Sequence, residues 1–209
     1  LMMPFSSLLD ILPKLVRDLS REQGKDVRLI VRGSDVEIDK RILGEMKDPL
    51  IHLVRNCIDH GIEKPEERTR AGKSSAATLT VAVSQVEGNK AEILVSDDGA
   101  GINREEVIAA AIRRGVTTEQ EAQSLSDAEA LALIFLSNVS TSPLITELSG
   151  RGLGLAIVWE KATKLGGEVT AHTEFGQGTT FRTVLPLTLA TFRGVLVQAV
   201  GESFVIPTV

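Results

Sequence analysis

The sequence predicts an α+β fold: a two-layer α/β sandwich with helices on one face of a mixed sheet, and with an N-terminal helix. Three observations carry that expectation. Alternating, β-branched stretches at 77–86 and 91–96, and again at 168–174 and 179–185, come as two hairpins. Apolar residues recur at helical spacing before and between those hairpins. The resulting order of helix, strands, helix, hairpin, helices, helix, hairpin provides helices to cover one face of a single sheet.

Each element has its own signal. Over 5–22, Leu8, Leu9, Leu12, Leu15, Val16 and Leu19 repeat at helical spacing, with Ser6 or Ser7 as cap, Gly24 as stop and Pro13 as a point of kinking. Residues 27–31 and 36–38 read as short strands around the turn Gly33-Ser34-Asp35, and Asp39 caps a long helix. That helix leads into DPLIHLVRNCIDHGIE, residues 48–63, where Leu50, Leu53, Val54, Cys57 and Ile58 form an apolar stripe. His52, Asn56 and His60 follow one another at four-residue steps on a second face, and Gly61 ends the helix. The connection KPEERTRAGKSS reads as a short helical turn and an exposed loop whose charges face solvent. Beyond the first hairpin, Asp97-Asp98-Gly99-Ala100-Gly101 leads into a helix over 104–114, and a second follows over 127–135. The polar stretch SNVSTSPLITELSG is either a surface linker or a mobile lid. Gly150-Arg151-Gly152-Leu153-Gly154 opens a helix over 155–165, on which Trp159 reads as packing, and the last hairpin turns at Phe175-Gly176-Gln177-Gly178. His172, in a strand, reads as a surface or satisfied histidine. After Pro186 a new hairpin begins.

Composition excludes several classes of function. A hydrophobic fraction of 43% and a charged fraction of 24% are those of a soluble globular protein. With 23 basic and 28 acidic residues, a net charge of −5 and no long basic run, the footprint of a nucleic-acid binder is absent. The single cysteine, Cys57, permits no internal disulfide, which fits a reducing, cytoplasmic compartment, and its ordinary role is that of a small buried thiol. The apolar stretch near the end is broken by Arg193 and Gly194, so membrane insertion is not expected, and Leu1-Met2-Met3-Pro4 lacks the basic region of a signal peptide.

The chemistry lies in a conjunction of motifs. Singly, each glycine-rich turn is most simply a turn. Together they run His-x3-Asn-x2-Asp-His-Gly, then Asp-x-Gly-x-Gly at a strand end, then Gly-x-Gly-x-Gly opening a helix, then Gly-x-Gly-Thr between strands. The segments HLVRNCIDHGIEKPEER, DDGAGI, SGRGLG and GQGTTF followed by LPLTLA resemble the ATP-binding domain shared by histidine kinases, DNA gyrase, Hsp90 and MutL, and within it the chemotaxis-type, CheA-like histidine kinases. The resemblance divides the chain into the end of a dimerisation helix (1–23), an ATP-binding catalytic domain (24–190) and the start of a CheW-like regulatory domain (191–209). It implies ATP and Mg²⁺ as cofactors and transfer of the γ-phosphate to a histidine on a separate phosphotransfer domain. Through the full-length protein it implies a response regulator, a CheW-like adaptor and a receptor, with the whole protein a homodimer and this segment a monomer.

Residue chemistry agrees with that resemblance. Asn56 offers a neutral carboxamide oxygen to a Mg²⁺ shell otherwise filled by phosphate oxygens and water. Asp97 matches the family's acceptor for the adenine amino group, and Thr179 completes the adenine edge, directly or through water. Gly99 and Gly101 let the backbone take positive φ and approach the base. Gly150, Gly152 and Gly154 place N–H groups at a helix start, where the dipole favours phosphate. Arg55 and His60 are candidates for phosphate contacts, while Asp59 fits a structural role equally well. His52 stands where the gyrase and Hsp90 branch carries a Glu that activates water; an imidazole there either accepts the proton of the acceptor or stabilises the transferring phosphoryl group. His52, Asn56 and His60 are therefore the expected catalytic set. In the lid the family commonly reads Pro-Gly-Phe-Ser-Thr-Lys, whereas here Ser142 stands in place of the Lys. The alternatives are a gyrase/Hsp90-type ATPase, disfavoured by His52, and a non-catalytic nucleotide-binding scaffold, favoured by Ser142.

Overall fold

The computed structural model describes residues 1–136 and 154–188 and the strands at 194–199 and 202–207. In chain order the elements are β1 (Met2–Pro4), α1 (Ser6–Leu9), α2 (Leu12–Gln23), β2 (Val27–Arg32), β3 (Glu37–Asp39), α3 (Lys40–Asn56), a π-helical turn (Cys57–Gly61) and α4 (Pro65–Arg70). There follow β4 (Ala77–Val86), β5 (Lys90–Asp97), α5 (Arg104–Arg113), α6 (Glu119–Ala122), α7 (Asp127–Ala132) and a 3₁₀ turn (Leu133–Phe135). Last come α8 (Gly154–Lys164), β6 (Glu168–Glu174), β7 (Gly178–Pro186), β8 (Gly194–Ala199) and β9 (Glu202–Pro207).

The main sheet has five strands in the order β2-β4-β5-β7-β6, with β2 parallel to β4 and every other pair antiparallel. Alternation sets its faces. Ala77, Leu79, Val81 and Val83 of β4 and Ala91, Ile93 and Val95 of β5 point inward, where Phe181 and Leu185 of β7 join them. Onto this face pack α2 (Leu12, Val16, Leu19), α3 (Ile42, Met46, Leu50, Leu53, Val54) and α8 (Val158, Ala162) with Leu165 just after it, in one continuous core. Each of the large aliphatic side chains contributes about 1.5–3 kcal/mol when fully buried. The opposite face is polar: Thr180 Oγ1 donates to Ser96 Oγ at 2.9 Å, and Arg182 bonds Glu92 at 2.5 Å and Glu168 at 3.3 Å. The two-layer α+β architecture is as expected.

Details differ. The helix expected over 5–22 is two helices, broken at Asp10 and Ile11, and Pro13 sits in the first turn of α2, where its missing N–H leaves no bond unmade. The strands flanking Gly33-Ser34-Asp35 part company: β2 joins the main sheet, while β3 pairs with β1. Phe5, Leu8, Leu9, Leu12, Val16 and Leu19 are buried in the domain's own core. Trp159 is 48% exposed rather than packed, because α8 turns Val158 and Ala162 inward instead. Asp39 caps α3 as expected, accepting from the Arg41 N–H at 2.8 Å.

Candidate functional site

Asp97 is the last residue of β5 and keeps the inward parity of Ala91, Ile93 and Val95, so the strand carries a carboxylate into the layer between sheet and helices. It is 7% exposed. Its Oδ1 accepts the Gly99 N–H at 3.0 Å, while Oδ2 is enclosed with no hydrogen-bond partner. Burial pushes the carboxyl above the ordinary Asp range, against the opposing pull of the Gly99 N–H, the Cys57 thiol and the Thr179 N–H. A buried acceptor left unpaired costs about 1–3 kcal/mol, a cost that a water or a ligand bringing a donor would relieve.

Three segments close on this residue. Across the sheet, Asp97 is in register with Thr179. The Thr173 hydroxyl accepts the Ile102 N–H at 2.8 Å, donates its one proton to the Gly178 carbonyl at 3.0 Å, and lies 3.1 Å from the Thr179 hydroxyl. Thr179 is therefore the donor in that last contact and keeps its lone pairs for a ligand or a water. On the helical side, Ala100 N–H donates to the Gly61 carbonyl at 2.8 Å, and on the far side Gly176 N–H donates to the Ala100 carbonyl at 2.7 Å.

The glycines serve this convergence in two different ways. Gly101 has φ +75°, as expected. Gly99 is not in the positive-φ region; it is required because a Cβ there would stand 2.0 Å from the Gly61 carbonyl oxygen. Close approach is to the protein's own backbone. Gly99→Ala is accordingly expected to lower stability by roughly 1–3 kcal/mol, read as a shifted urea midpoint, and to weaken nucleotide binding with it.

The even stagger of His52, Asn56 and His60 is broken after Asn56, where the π-helical turn begins and the Ile62 N–H reaches back five residues to the Cys57 carbonyl at 2.8 Å. The wider turn swings His60 off the His52–Asn56 row: His60 is exposed, whereas His52, Arg55 and Asn56 are half-buried. Distant residues hold the turn. Gln23 donates to the Asp59 carboxylate, and the Lys25 ammonium bonds the carbonyl oxygens of Ile58 and, at 3.1 Å, Asp59. Asp59 is thus structural. Cys57 is 1% exposed, as a buried thiol should be, and burial together with the adjoining Asp97 charge raises its pKa. Since Cys57 touches Asp97 and directly follows Asn56, the turn couples the polar row of α3 to the carboxylate.

The connection after Gly61 is not merely solvated. Arg68 is 2% exposed and pairs with Glu63 and Asp98, and Lys73 bonds Glu63 as well. Sequence reading missed both cations because their partners lie up to thirty residues away; the one available hint was Glu63 and Arg68 flanking the prolyl start of α4. His172 is exposed on β6, in keeping with a surface histidine. Gly154 opens α8, whereas Gly150, Gly152, Ser142 and the lid stretch 137–149 lie outside the described residues. Among the described residues no cluster of three or more His, Cys, Asp and Glu forms a protein-only metal cage. A hard cation here would lean on Asn56 and on phosphate oxygens.

The model of the histidine kinase-, DNA gyrase B- and HSP90-like ATPases matches residues 45–189. Over 206 residues, 99% of this chain, the sequence is 41% identical to chemotaxis protein CheA of Halobacterium salinarum and covers 31% of that protein. To chemotaxis protein CheA of Salmonella typhimurium it is 42% identical over the same length, covering 30%. The chain thus spans under a third of these curated relatives. Among solved structures, full-length ShkA in complex with AMPPNP matches with a TM-score of 0.56 at 21% identity, over 90% of this chain and 32% of that one. The catalytic domain of histidine kinase ThkA matches with a TM-score of 0.54 at 18% identity, over 90% and 95%. At these identities the structural likeness shows the fold alone.

Proposed function

This chain belongs to the histidine kinase-, DNA gyrase B- and HSP90-like ATPase family, and from that premise we propose that it is the catalytic segment of a CheA-like sensor histidine kinase, passing the γ-phosphate of ATP to a histidine on a separate phosphotransfer domain. ATP binding comes with the family. The observation that carries the placement of the base is the enclosed, unpartnered Oδ2 of Asp97, an acceptor waiting for an exocyclic amino group. Beside it the Thr179 hydroxyl offers lone pairs to the same edge or to a bridging water.

The phosphate end follows from α3. Asn56 would supply one neutral oxygen to Mg²⁺, which, when bound, would neutralise phosphate charge. His52 lies one turn earlier, about 6 Å along the axis, where its imidazole takes the acceptor's proton or stabilises the transferring phosphoryl group. Arg55 and His60 are assigned to phosphate contacts, His60 from its exposed position at the rim, and Gly150, Gly152 and Gly154 to the N–H cradle before α8. Partners of the whole protein, in this reading, are the phosphotransfer domain, a response regulator reached through it, and a CheW-like adaptor and receptor engaged beyond residue 190. We place the protein in the cytoplasm; among the described residues no helix is long and apolar enough to cross a membrane. Leu8, Leu9, Leu12 and Leu19 of α1 and α2 are buried in this segment's own core and Leu15 packs partly buried against it, which supports a monomer for the segment.

Radiolabelled ATP, supplied with and without a phosphotransfer domain, tests the reading. Label on the added domain supports a kinase; hydrolysis without transfer makes it a gyrase-type ATPase; binding with neither makes it a scaffold, the outcome that Ser142 in the lid favours. Alone, the segment is expected to take up little label, because of its three histidines two are assigned to the site and the third, His172, stands on a strand. Stable label on His172 would contradict the proposal.

A further inference from the structure

We propose that Arg68 and Lys73 are positioning residues that set the site's preference for a 6-aminopurine, acting through the single peptide unit between Asp98 and Gly99. This rests on Asp97 being the acceptor for the base.

The oxygen of that peptide belongs to Asp98 and its N–H to Gly99. The N–H holds Asp97 Oδ1 at 3.0 Å. At the other end the Asp98 oxygen receives Arg68 Nη1 at 3.0 Å and Lys73 Nζ at 3.1 Å. A peptide unit is rigid and planar, so fixing its oxygen fixes the direction of its N–H. With glycine following, the backbone alone gives little resistance to a flip of this plane, because glycine accepts either resulting φ. Two cations on the oxygen supply that resistance. Once the plane is held, Asp97 keeps Oδ1 turned to Gly99 and leaves Oδ2 as the open acceptor.

The cations are themselves held in one arrangement. Arg68 Nε donates to the Ser74 carbonyl at 2.7 Å, Nη1 to Glu63 at 3.0 Å, and Nη2 pairs with the Asp98 carboxylate at 3.1 Å. Lys73 Nζ also bonds Glu63 at 2.8 Å and the Gly99 carbonyl at 2.6 Å. A guanidinium so buried tolerates no loose partner, since breaking such a pair leaves an uncompensated charge. Asp98 is secured from the other side by the Thr78 N–H at 3.0 Å, which ties the turn to β4. The segment from Glu63 to Ser74 thus works as a clamp on the peptide that aims Asp97.

The test compares dissociation constants for ADP and for IDP, which carries a carbonyl oxygen where adenine carries the amino group, in the parent, Lys73→Met, Lys73→Arg, Arg68→Met and Asp97→Asn, by calorimetry. The parent is expected to prefer ADP by roughly tenfold or more, since the wrong base opposes two acceptors. In Lys73→Met and Arg68→Met that preference is expected to fall to within about threefold, while Lys73→Arg, which retains a cationic donor, largely restores it. A merely structural role would weaken both nucleotides equally, and an unchanged IDP/ADP ratio in Lys73→Met overturns the proposal. Lys73 is partly exposed, at 18% of its side chain, so its variant decides the matter if Arg68→Met does not fold. Asp97→Asn separates the two layers of inference. If its ratio stays parental, the role of Asp97 falls and this proposal with it; if its ratio collapses while that of Lys73→Met does not, only the clamp is wrong.

Discussion

Replacing His52 with glutamine lowers phosphate transfer to an added phosphotransfer domain by about two orders of magnitude or more, with ADP affinity nearly unchanged. Glutamine keeps the length and the hydrogen-bonding capacity of the side chain but accepts no proton and carries no developing positive charge. General acid–base or electrostatic help at the reacting phosphoryl is typically worth about 10²–10⁴-fold, all of it in the transfer step. The separation in space supports the separation in effect. His52 lies one turn before Asn56 on α3, whereas Asp97, the carboxylate proposed to meet the base, is reached through Cys57, on the other side of Asn56. ADP lacks the phosphate that His52 would meet. Transfer rates with labelled ATP and ADP affinity by calorimetry together decide the point, and transfer at the parental rate would remove His52 from the role.

Asp97→Asn gives the opposite pattern. An amide of the same shape presents a donor where the adenine amino group needs an acceptor, a mismatch of about 1–3 kcal/mol, so nucleotide affinity should fall roughly tenfold to a hundredfold. In the parent the same acceptor makes affinity pH-dependent. Burial raises the Asp97 pKa, so on acidification ADP binding is expected to weaken at a pH above the usual Asp range, as the proton takes the place of the amino hydrogen. Stability runs the other way. The folded protein without nucleotide binds this proton more tightly than the unfolded chain does, so the stability linked to Asp97 is fully present below the unfolded pKa and is lost as pH rises through the folded one. Asparagine is neutral throughout. At neutral pH the Asp97→Asn protein should therefore melt higher than the parent, by about 2–4 °C for each kcal/mol relieved, and the gap should close as pH falls. Thermal melts across that range check it; a variant less stable than the parent at neutral pH would mean that Oδ2 is not the strained acceptor.

Much of this was readable from residue order. The alternation of β4, β5 and β7 placed Leu79, Val81, Ile93, Val95 and Phe181 in the core, and the apolar stripe of 48–63 did the same for Leu50, Leu53 and Val54. Asp97 was singled out by the glycines behind it, and its inward direction follows from the parity of its strand. Such patterns are legible because burial acts on each side chain through its own position in a repeating backbone. What was not legible depends on partners far away in the chain. His60 left the row of His52 and Asn56 because Gln23 and Lys25 hold a π-helical turn open at Ile58 and Asp59. Gly99 proved to serve contact with Gly61 rather than a positive φ. Of the charges after Gly61, Lys64, Glu66, Glu67 and Arg70 face solvent as expected, but Arg68 and Lys73 are drawn into ion pairs, since a guanidinium is buried only where carboxylates and carbonyl oxygens already surround it.

By itself, then, the sequence determined the layered fold and its core and singled out the residue types proposed for the nucleotide site, since each is a local consequence of periodicity and turn chemistry. Only the tertiary structure decided which way the Asp98–Gly99 peptide faces, which oxygen of Asp97 is left without a donor, and what holds them so. Those are matters of hydrogen-bond direction between segments tens of residues apart, and the order of residues along a chain carries no record of direction in space.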